Sequence, residues 1–217
     1  MAKVETQPHE TVTITRRDEL DAAAARLARL EPRFGEALSV TGPLTLRSRA
    51  DGFPALLRSV VSQQVSTAAA AAILARVEAA GLDDEDSILA ASDDALRAVG
   101  VSRQKAGYLR GIAAASLDYL ALREEPNDVV VERLVALPGI GRWTAEIYVM
   151  FALGRADAFA AGDLGLQHGA RLLFDLPERP KERELREMAE AWSPWRAVAA
   201  RILWAYYDTT KRTDPTG

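Results

Sequence analysis

The chain has 217 residues, 48% of them hydrophobic, so it can bury a sizeable core in one or two domains. It contains no cysteine, which excludes disulfides, thiolate zinc sites, cysteine-held iron–sulfur clusters and cysteine nucleophiles. The formal net charge of −4 argues against a protein that coats nucleic acid nonspecifically, but it permits a local basic face. No apolar run approaches the ~20 residues of a membrane span, so we expect no membrane partner.

Apolar residues recur at helical spacing along most of the chain. Residues 1–10 are polar, and we expect them to form a disordered tail. Helices are predicted at 18–30, 33–40, 51–64, 66–81, 92–99, 102–122, 127–137, 142–153, 163–173, 180–192 and 193–207. The fold class is therefore all-α. We expect one helical fold over residues 11–217, with lobes near 45–125 and 126–207, an added N-terminal helix and a cleft between the lobes.

A glycine-rich turn lies between two apolar helices near the start of the second predicted lobe. It consists of Pro138, Gly139, Ile140 and Gly141, and the second helix opens after it. Glycine permits positive φ and close approach of another molecule to the backbone. The N–H groups that open the second helix, with the positive end of its dipole, suit an anion. An ordinary helix–helix corner is the alternative, but the full apolar-PGIG-Thr-Ala pattern favours phosphate binding.

A weaker copy of this pattern occurs earlier in the chain. Residues 96–101, followed by Lys105 and Ala106, repeat the order of helix, glycine turn and helix seen at 134–145. Two ordinary helix–helix corners capped by glycine explain this first copy well.

Residues 134–145 resemble the helix-hairpin-helix motif of the DNA glycosylase superfamily. In that superfamily a catalytic aspartate follows after one helix and a loop, and Asp163 stands in that place, 24 residues after Gly139. Members that also cut the DNA strand carry a lysine at the position that Trp143 occupies here. The resemblance therefore implies hydrolysis without strand cleavage. It implies no required cofactor, and the iron–sulfur branch is excluded because cysteine is absent.

Three further segments indicate which branch of the superfamily the chain resembles. GRWTA at 141–145, SPWR at 193–196 with Trp204, and LRSVVSQQVS at 57–66 are similar to the alkylpurine branch, 3-methyladenine DNA glycosylase II. This resemblance covers about residues 50–207 and implies double-stranded DNA with damaged bases as the partner and a monomeric enzyme. The chain departs from the branch in two ways: about 45 N-terminal residues are too few for a β-rich domain, and Ile147 then Tyr148 follow GRWTA where a pocket aromatic is expected.

The resemblance implies roles for individual residues. Asp163 would stabilise the positive charge that develops on the sugar and steer water; Asp is also a good N-cap, and we expect both roles. Trp143 and Trp204, and more weakly Tyr148, would stack on a flipped, cationic base, although each could instead be core. His168 is expected to be structural or a surface residue. Trp192 and Trp195 are expected to pack helices.

DNA contacts are expected where the predicted helices 51–64 and 66–81 meet, and at the hairpin. The predicted contacts are Gln63, Gln64, Ser66, Pro138, Gly139, Ile140, Gly141, Arg142 and Thr144. Gln64 would fill the gap left by the extruded nucleotide, at a position where the branch has an apolar wedge. A monovalent cation (Na⁺ or K⁺), bound by the carbonyls of Val135, Leu137 and Ile140, would bridge the hairpin to phosphate.

The function that follows is a monofunctional base excision repair glycosylase that hydrolytically releases alkylated purines, of the 3-methyladenine and 7-methylguanine type, and leaves an abasic site. Two alternatives stay open: a glycosylase for mismatched or deaminated bases, and a non-catalytic helix-hairpin-helix protein that binds DNA. We expect a cytoplasmic, nucleoid-associated enzyme if the source is bacterial and a nuclear one if it is eukaryotic.

Overall fold

The computed structural model describes residues 12–46 and 50–213. Within these ranges the chain forms thirteen α-helices and one 3₁₀ turn, and the only β pairing there is an isolated antiparallel bridge between Thr13 and Arg155. The helices are α1 (Arg17–Leu30), α2 (Pro32–Thr41), α3 (Phe53–Ser62), α4 (Thr67–Ala79), α5 (Glu85–Ala90), α6 (Asp93–Ala98), α7 (Arg103–Ala114), α8 (Tyr119–Leu122), α9 (Asn127–Val135), α10 (Arg142–Phe151), α11 (Leu164–Leu173), α12 (Glu182–Ala189) and α13 (Arg196–Thr213), and the 3₁₀ turn is Glu190–Trp192. The all-α prediction is confirmed. The predicted tail at 1–10 lies outside the described residues.

Helix boundaries differ from the predicted ones where local chemistry intervenes. Asp84 accepts a hydrogen bond from the Ser87 backbone N–H and so caps α5 within an acidic run for which no helix was predicted. The predicted helix 102–122 divides into α7 and α8, because Ser116 adopts a positive φ of 46°. The last helix begins at Arg196 and extends past Tyr207.

The described residues divide into two compact units, and the division falls between residues 153 and 154, not near residue 125 as predicted. Unit 1 contains residues 12–46 and 154–213, and unit 2 contains residues 50–153. Two packing relations explain the difference. In unit 1 the N-terminal helices α1 and α2 pack on α13, and in unit 2 the hairpin helices α9 and α10 pack on each other while α10 also packs on α3.

The core of unit 1 is built around α13, which packs on α11, α2 and α1. An aromatic cluster supports it: the ring of Trp192 meets Phe34 edge-on at 5.2 Å and stacks on Phe174 at 5.7 Å. Trp192 is buried, which confirms that it packs helices. Ahead of α1, the Ile14 backbone N–H donates to the Gly154 carbonyl at 2.7 Å, so the N-terminal segment is held against the segment that follows α10.

The core of unit 2 is formed by helices α3, α7, α9 and α10. Helix α10 is buried along most of its length, from Thr144 to Phe151. Serine residues open α4, α6 and α7, where each hydroxyl accepts the backbone N–H three residues on. Within the described part of the chain, no helix is both long and apolar enough to cross a bilayer.

Candidate nucleic-acid interface and active site

The predicted hairpin is present in unit 2 as α9, a tight turn and α10. Gly139 adopts a φ of +77°, and the Ile140 N–H donates to the Leu137 carbonyl at 3.3 Å, which closes the turn. Leu137 and Ile140 are buried and anchor the turn from below. Pro138 and Gly141 are exposed, so the turn presents its backbone outward at the opening of α10, where the helix dipole favours an anion.

The turn requires glycine for a second reason, which lies within the protein. A Cβ at Gly139 would overlap the ring of Tyr108, and a Cβ at Gly111 would lie 2.5 Å from Pro138 Cγ. Tyr108 and Gly111 belong to one face of α7. Helix α7 therefore supports the hairpin turn directly, a contact that neither residue's sequence position had indicated.

Of the predicted contacts at the hairpin, Arg142 is exposed and Thr144 is not. Arg142 Nε donates to Glu146 Oε1 at 3.1 Å, one helical turn further along α10, so a buried carboxylate orients its guanidinium. Thr144 is 6% exposed because it lies on the face of α10 that packs into unit 2. Ile140 is buried as well, so only its backbone remains for a phosphate or a cation. Thr144, predicted as a DNA contact, therefore has a side chain that is buried within unit 2.

The loop of residues 63–66, between α3 and α4, is tied to the hairpin. Gln63 Nε2 donates to the Gly139 carbonyl at 2.9 Å, so this half-buried side chain is held against the hairpin turn. Gln64 is exposed and adopts a φ of 55°, the left-handed region that non-glycine residues seldom occupy. Ser66 caps α4 by accepting the Ala69 N–H at 3.2 Å. Of the two glutamines, Gln64 is the exposed one, and its predicted role as a wedge stays a prediction.

A groove of about 370 Å³ lies in unit 2 beside this loop. Trp143 contributes to its wall and is 47% exposed, which is unusual for an indole that serves only as core. The buried Thr144, next to Trp143, and Ile147, one turn along α10, line the same groove. The groove is lined by Arg58, Ser59, Ser62, Gln63, Val65, Thr67, Ala70, Ala71, Leu74, Trp143, Thr144 and Ile147. An aromatic face beside apolar and hydroxyl groups is a suitable surface for a planar base.

Tyr148, predicted as a weak pocket residue, has a different position. It is 3% exposed; its hydroxyl donates to the Asp51 carboxylate and accepts the Gly52 N–H at 3.2 Å. Burial and the adjacent Asp51 carboxylate raise its pKa. Arg123 Nε donates to the other Asp51 oxygen at 2.7 Å. Tyr148 thus anchors the start of α3, and the prediction of a pocket role is not supported.

Asp163 lies in unit 1, at the opening of α11. Its side chain caps the helix by accepting the Leu166 N–H at 3.0 Å, as predicted for an N-cap. The same oxygen, Oδ1, accepts the indole Nε1–H of Trp204 at 2.8 Å. Two donors on one oxygen orient the carboxylate, and Asp163 is only half-buried. Trp204, predicted as a stacking residue, therefore also holds the acid by its N–H.

Two glycines let α11 approach α13 closely enough for this bond. A Cβ at Gly165 would lie 3.0 Å from Asp163 Oδ1 and 3.1 Å from Trp204 Cδ1. A Cβ at Gly169, one turn later, would lie 2.5 Å from the Leu203 carbonyl oxygen. Their spacing of four residues on one helix face was the available sequence signal, and it was missed.

The loop before Asp163 is fixed by residues that the sequence did not single out. Gln167 is buried, and its Nε2 donates to the Ala161 carbonyl at 2.9 Å. Arg179 donates in turn to Gln167 Oε1. The Asp163 backbone N–H donates to the Ala160 carbonyl at 2.9 Å. Backbone and side chain of the acid are therefore both held in place before any substrate binds.

His168 lies one turn beyond Asp163, half-buried, with its ring stacked on Tyr207 at 5.3 Å between centroids. Burial lowers its pKa, and the charges of Arg179, Arg171 and Lys211 lower it further. This stacking agrees with the structural role expected for His168.

The cation ligands expected at the hairpin are the backbone carbonyls of Val135, Leu137 and Ile140. Val135 ends α9, where carbonyls have no partner within the helix, whereas the Leu137 carbonyl already accepts the Ile140 N–H at 3.3 Å. In the described part of the chain, no group of three or more His, Cys, Asp or Glu side chains is arranged to hold a metal.

The turn in the first copy of the hairpin pattern, at residues 96–101, is covered by a side chain. Arg76 Nε donates to the Val99 carbonyl at 3.0 Å, and its guanidinium lies against Gly100. That turn is an ordinary helix–helix corner.

Comparison with known proteins agrees with this geometry. The profile described as "HhH-GPD superfamily base excision DNA repair protein" matches residues 57–194. The chain is 31% identical to DNA-3-methyladenine glycosylase 1 of Schizosaccharomyces pombe, over 91% of this chain and 90% of the relative. Among solved structures, a DNA-3-methyladenine glycosidase of Bacillus halodurans shares 34% identity at a TM-score of 0.79, covering 88% of this chain and 91% of that one.

A structure of the Schizosaccharomyces pombe 3-methyladenine DNA glycosylase in complex with abasic DNA is also similar, with 29% identity and a TM-score of 0.73 over 84% of this chain and 95% of that one. The profile match covers the loop 63–66, the hairpin and Asp163 together. The chain belongs to the HhH-GPD superfamily of base excision DNA repair proteins.

Proposed function

We propose that this protein is a monofunctional DNA glycosylase that extrudes an alkylated purine from double-stranded DNA, hydrolyses its N-glycosidic bond and leaves an abasic site. The observation that carries the proposal is the geometry of Asp163. Its carboxylate is held by the Leu166 N–H and the Trp204 indole, yet remains half-exposed at the opening of a helix. The substrate class agrees with the 3-methyladenine glycosylases that the chain resembles.

The reaction requires one anionic group from the protein and no general acid. A purine alkylated at N3 or N7 carries a positive charge, so when the bond from C1′ to the base breaks, its electron pair neutralises the base and no general acid is needed. The sugar becomes oxocarbenium-like, and the Asp163 carboxylate beside it stabilises that charge. Water then adds at C1′, and its proton passes to the carboxylate or to solvent.

The aromatic residues would discriminate the lesion. A cationic base is attracted to the face of an indole by about 1–2 kcal/mol more than a neutral base of the same shape. Trp204 is half-buried next to the acid, and Trp143 is exposed in the groove of unit 2, so both remain in the proposal as base contacts. Each is tested separately, by replacement with leucine and comparison of release rates for cationic and neutral lesions.

The outer surface of the hairpin and Gln64 would hold and distort the DNA. The exposed backbone at Gly141 and the oriented Arg142 would bind phosphate, and Gln64 would fill the gap in the stack. A sodium or potassium ion on the carbonyls of Val135, Leu137 and Ile140 would add a positive charge between hairpin and phosphate. We further propose that the enzyme acts as a monomer, in the cytoplasm of a bacterium or the nucleus of a eukaryote.

The deciding experiment measures base release from a panel of duplex oligonucleotides that carry one lesion each. Release of 3-methyladenine or 7-methylguanine is expected from wild type, and Asp163→Asn should be slower by about three orders of magnitude. The estimate takes ~4 kcal/mol for a unit charge pair at 4 Å in a surface-like dielectric, at 1.36 kcal/mol per tenfold. Asparagine keeps the cap, so folding should be unaffected.

The panel also separates the alternatives. Release of only mismatched or deaminated bases would replace the alkylpurine assignment, and DNA binding with no release by any lesion would favour a non-catalytic binder. Equal rates for wild type and Asp163→Asn would remove Asp163 from catalysis. Borohydride trapping should give no covalent adduct, because Trp143 offers no amine at the lyase position; a trapped adduct would contradict the monofunctional assignment.

A further inference from the structure

One face of α7 contacts both loops that would meet DNA. Lys105 Nζ donates to the carbonyls of Val61 at 2.8 Å and Gln63 at 2.7 Å. Tyr108 and Gly111, three and six residues further along the same helix, lie against the hairpin turn. The helix thus bridges the loop 63–66 and the turn 138–141 from behind.

The Lys105 ammonium group lies at the C-terminal end of α3, where a positive charge stabilises a helix. Helix α3 ends at Ser62, and its last carbonyls have no partner within the helix. The ammonium group donates to one of these carbonyls, that of Val61, and to the carbonyl of the C-cap residue Gln63, and it complements the negative end of the helix. Lys105 is half-buried, and its two hydrogen bonds hold the side chain in place and keep it from extending into solvent. Burial also lowers its pKa.

A direct link between the two loops completes the arrangement. The Gln63 side chain donates to the Gly139 carbonyl at 2.9 Å, across 76 positions of sequence. Gln64, the next residue, is held at a φ of 55°. Such a conformation is costly for a non-glycine residue and persists where its surroundings fix it. Here Lys105 fixes the backbone before Gln64, and the Ser66 cap fixes it after.

We propose that Lys105 is a positioning residue for base extrusion. By fixing loop 63–66 against the hairpin turn, with Gln63 as the link between them, it places the Gln64 wedge at a set distance from the bound phosphate. Insertion of Gln64 and binding of the DNA backbone are then coupled, because the two contact points keep a fixed separation. This inference rests on the proposed function, because it assigns Lys105 a part in extruding the same damaged nucleotide.

The experiment uses the full chain and three readouts. Extrusion is followed by the fluorescence of 2-aminopurine placed beside a tetrahydrofuran abasic analogue in a duplex. Affinity is measured for the same duplex without the analogue, and base release is measured under single-turnover conditions. The variants are Lys105→Met, Lys105→Arg and Gln63→Met, and the matched control is Ile112→Val, a buried residue of the same helix.

Lys105→Met should slow extrusion and base release together by about tenfold or more, because loss of registration by a fraction of an ångström to an ångström is enough for that. Its affinity for undamaged duplex should stay within about twofold, because the phosphate-binding backbone is retained. Lys105→Arg should restore most of the loss. Gln63→Met should reproduce the loss. A double variant that combines Lys105→Met with Gln63→Met should lose less than the sum of the two single losses, since both residues act on one loop.

Several outcomes would overturn the inference. Extrusion at the wild-type rate by Lys105→Met would contradict it. So would an equal loss of extrusion rate in Ile112→Val at matched thermal stability, because the effect would then come from general destabilisation. If Lys105→Met fails to fold, Gln63→Met decides: extrusion at the wild-type rate by that variant rejects the link. Failure of the proposed function is distinguishable, because wild type would then release no base while the fluorescence comparison among the variants would still give its result.

Discussion

The contact between Asp163 and Trp204 depends on the absence of a side chain at Gly165, and Gly165→Ala tests this directly. The new Cβ would lie 3.0 Å from Asp163 Oδ1, 3.1 Å from Trp204 Cδ1 and 3.3 Å from its Nε1. Ordinary carbon contacts begin near 3.5 Å, so the carboxylate and the indole must each shift by a few tenths of an ångström. Because a misplacement of 1 Å can cost about a hundredfold in rate, we expect base release to slow by about three- to tenfold.

Stability should move differently from activity. Alanine favours a helix over glycine by up to about 1 kcal/mol, which offsets the crowding, so the free energy of unfolding should change by less than about 1 kcal/mol. Gly107→Ala is the matched control, because a Cβ there meets nothing within 4 Å. It should raise stability by about 1 kcal/mol and leave the rate unchanged. Single-turnover base release and urea denaturation measure both quantities. Wild-type rates in Gly165→Ala would refute the role assigned to the Asp163–Trp204 contact.

Three further predictions follow from the described contacts. Gly169→Ala places a Cβ 2.5 Å from the Leu203 carbonyl oxygen, so it should force α11 from α13 and cost about 1–3 kcal/mol of unfolding free energy in urea denaturation; no loss would mean that the helices separate freely. Tyr148→Phe removes one donor to Asp51 and should cost about 1–3 kcal/mol while the folded enzyme keeps its release rate; a selective loss of rate would restore Tyr148 to the base pocket. The pKa of His168 is lowered from 6.5, so as pH falls through that value the unfolded chain takes up the proton first and stability is lost. His168→Gln should therefore lose less Tm than wild type between pH 7.5 and 5.5, and an equal loss would contradict this assignment.

The sequence predicts those parts of the molecule that local chemistry determines. The hairpin follows from its apolar spacing and glycines, and the cap role of Asp163 follows from the residue type at a helix start. The existence of most helices follows from periodicity and serine or aspartate caps. Each of these features depends on residues within a few positions of one another.

The parts that escaped prediction depend on contacts between distant segments. Tyr148 follows GRWTA, where a pocket aromatic was expected, but it is buried and its hydroxyl bonds to Asp51, 97 positions away. The Gln63 side chain donates to Gly139, 76 positions away, a bond that the sequence did not indicate. The sequence around Lys105 indicated only an ordinary surface lysine on a helix. In each case tertiary packing, which single-sequence periodicity does not contain, decided where the side chain lies.

Unit 1 is discontinuous in sequence, and this affects how the chain can fold as it is made. Helices α1 and α2 can pack on each other at once, but their contacts with α13, and those of the buried Phe34 with Phe174 and Trp192, must wait for the C-terminal part of the chain. Unit 2 consists of one continuous segment and can form on the ribosome first. Its early folding would hold the intervening chain compact, and so reduce the loop-closure entropy lost when the two halves of unit 1 join.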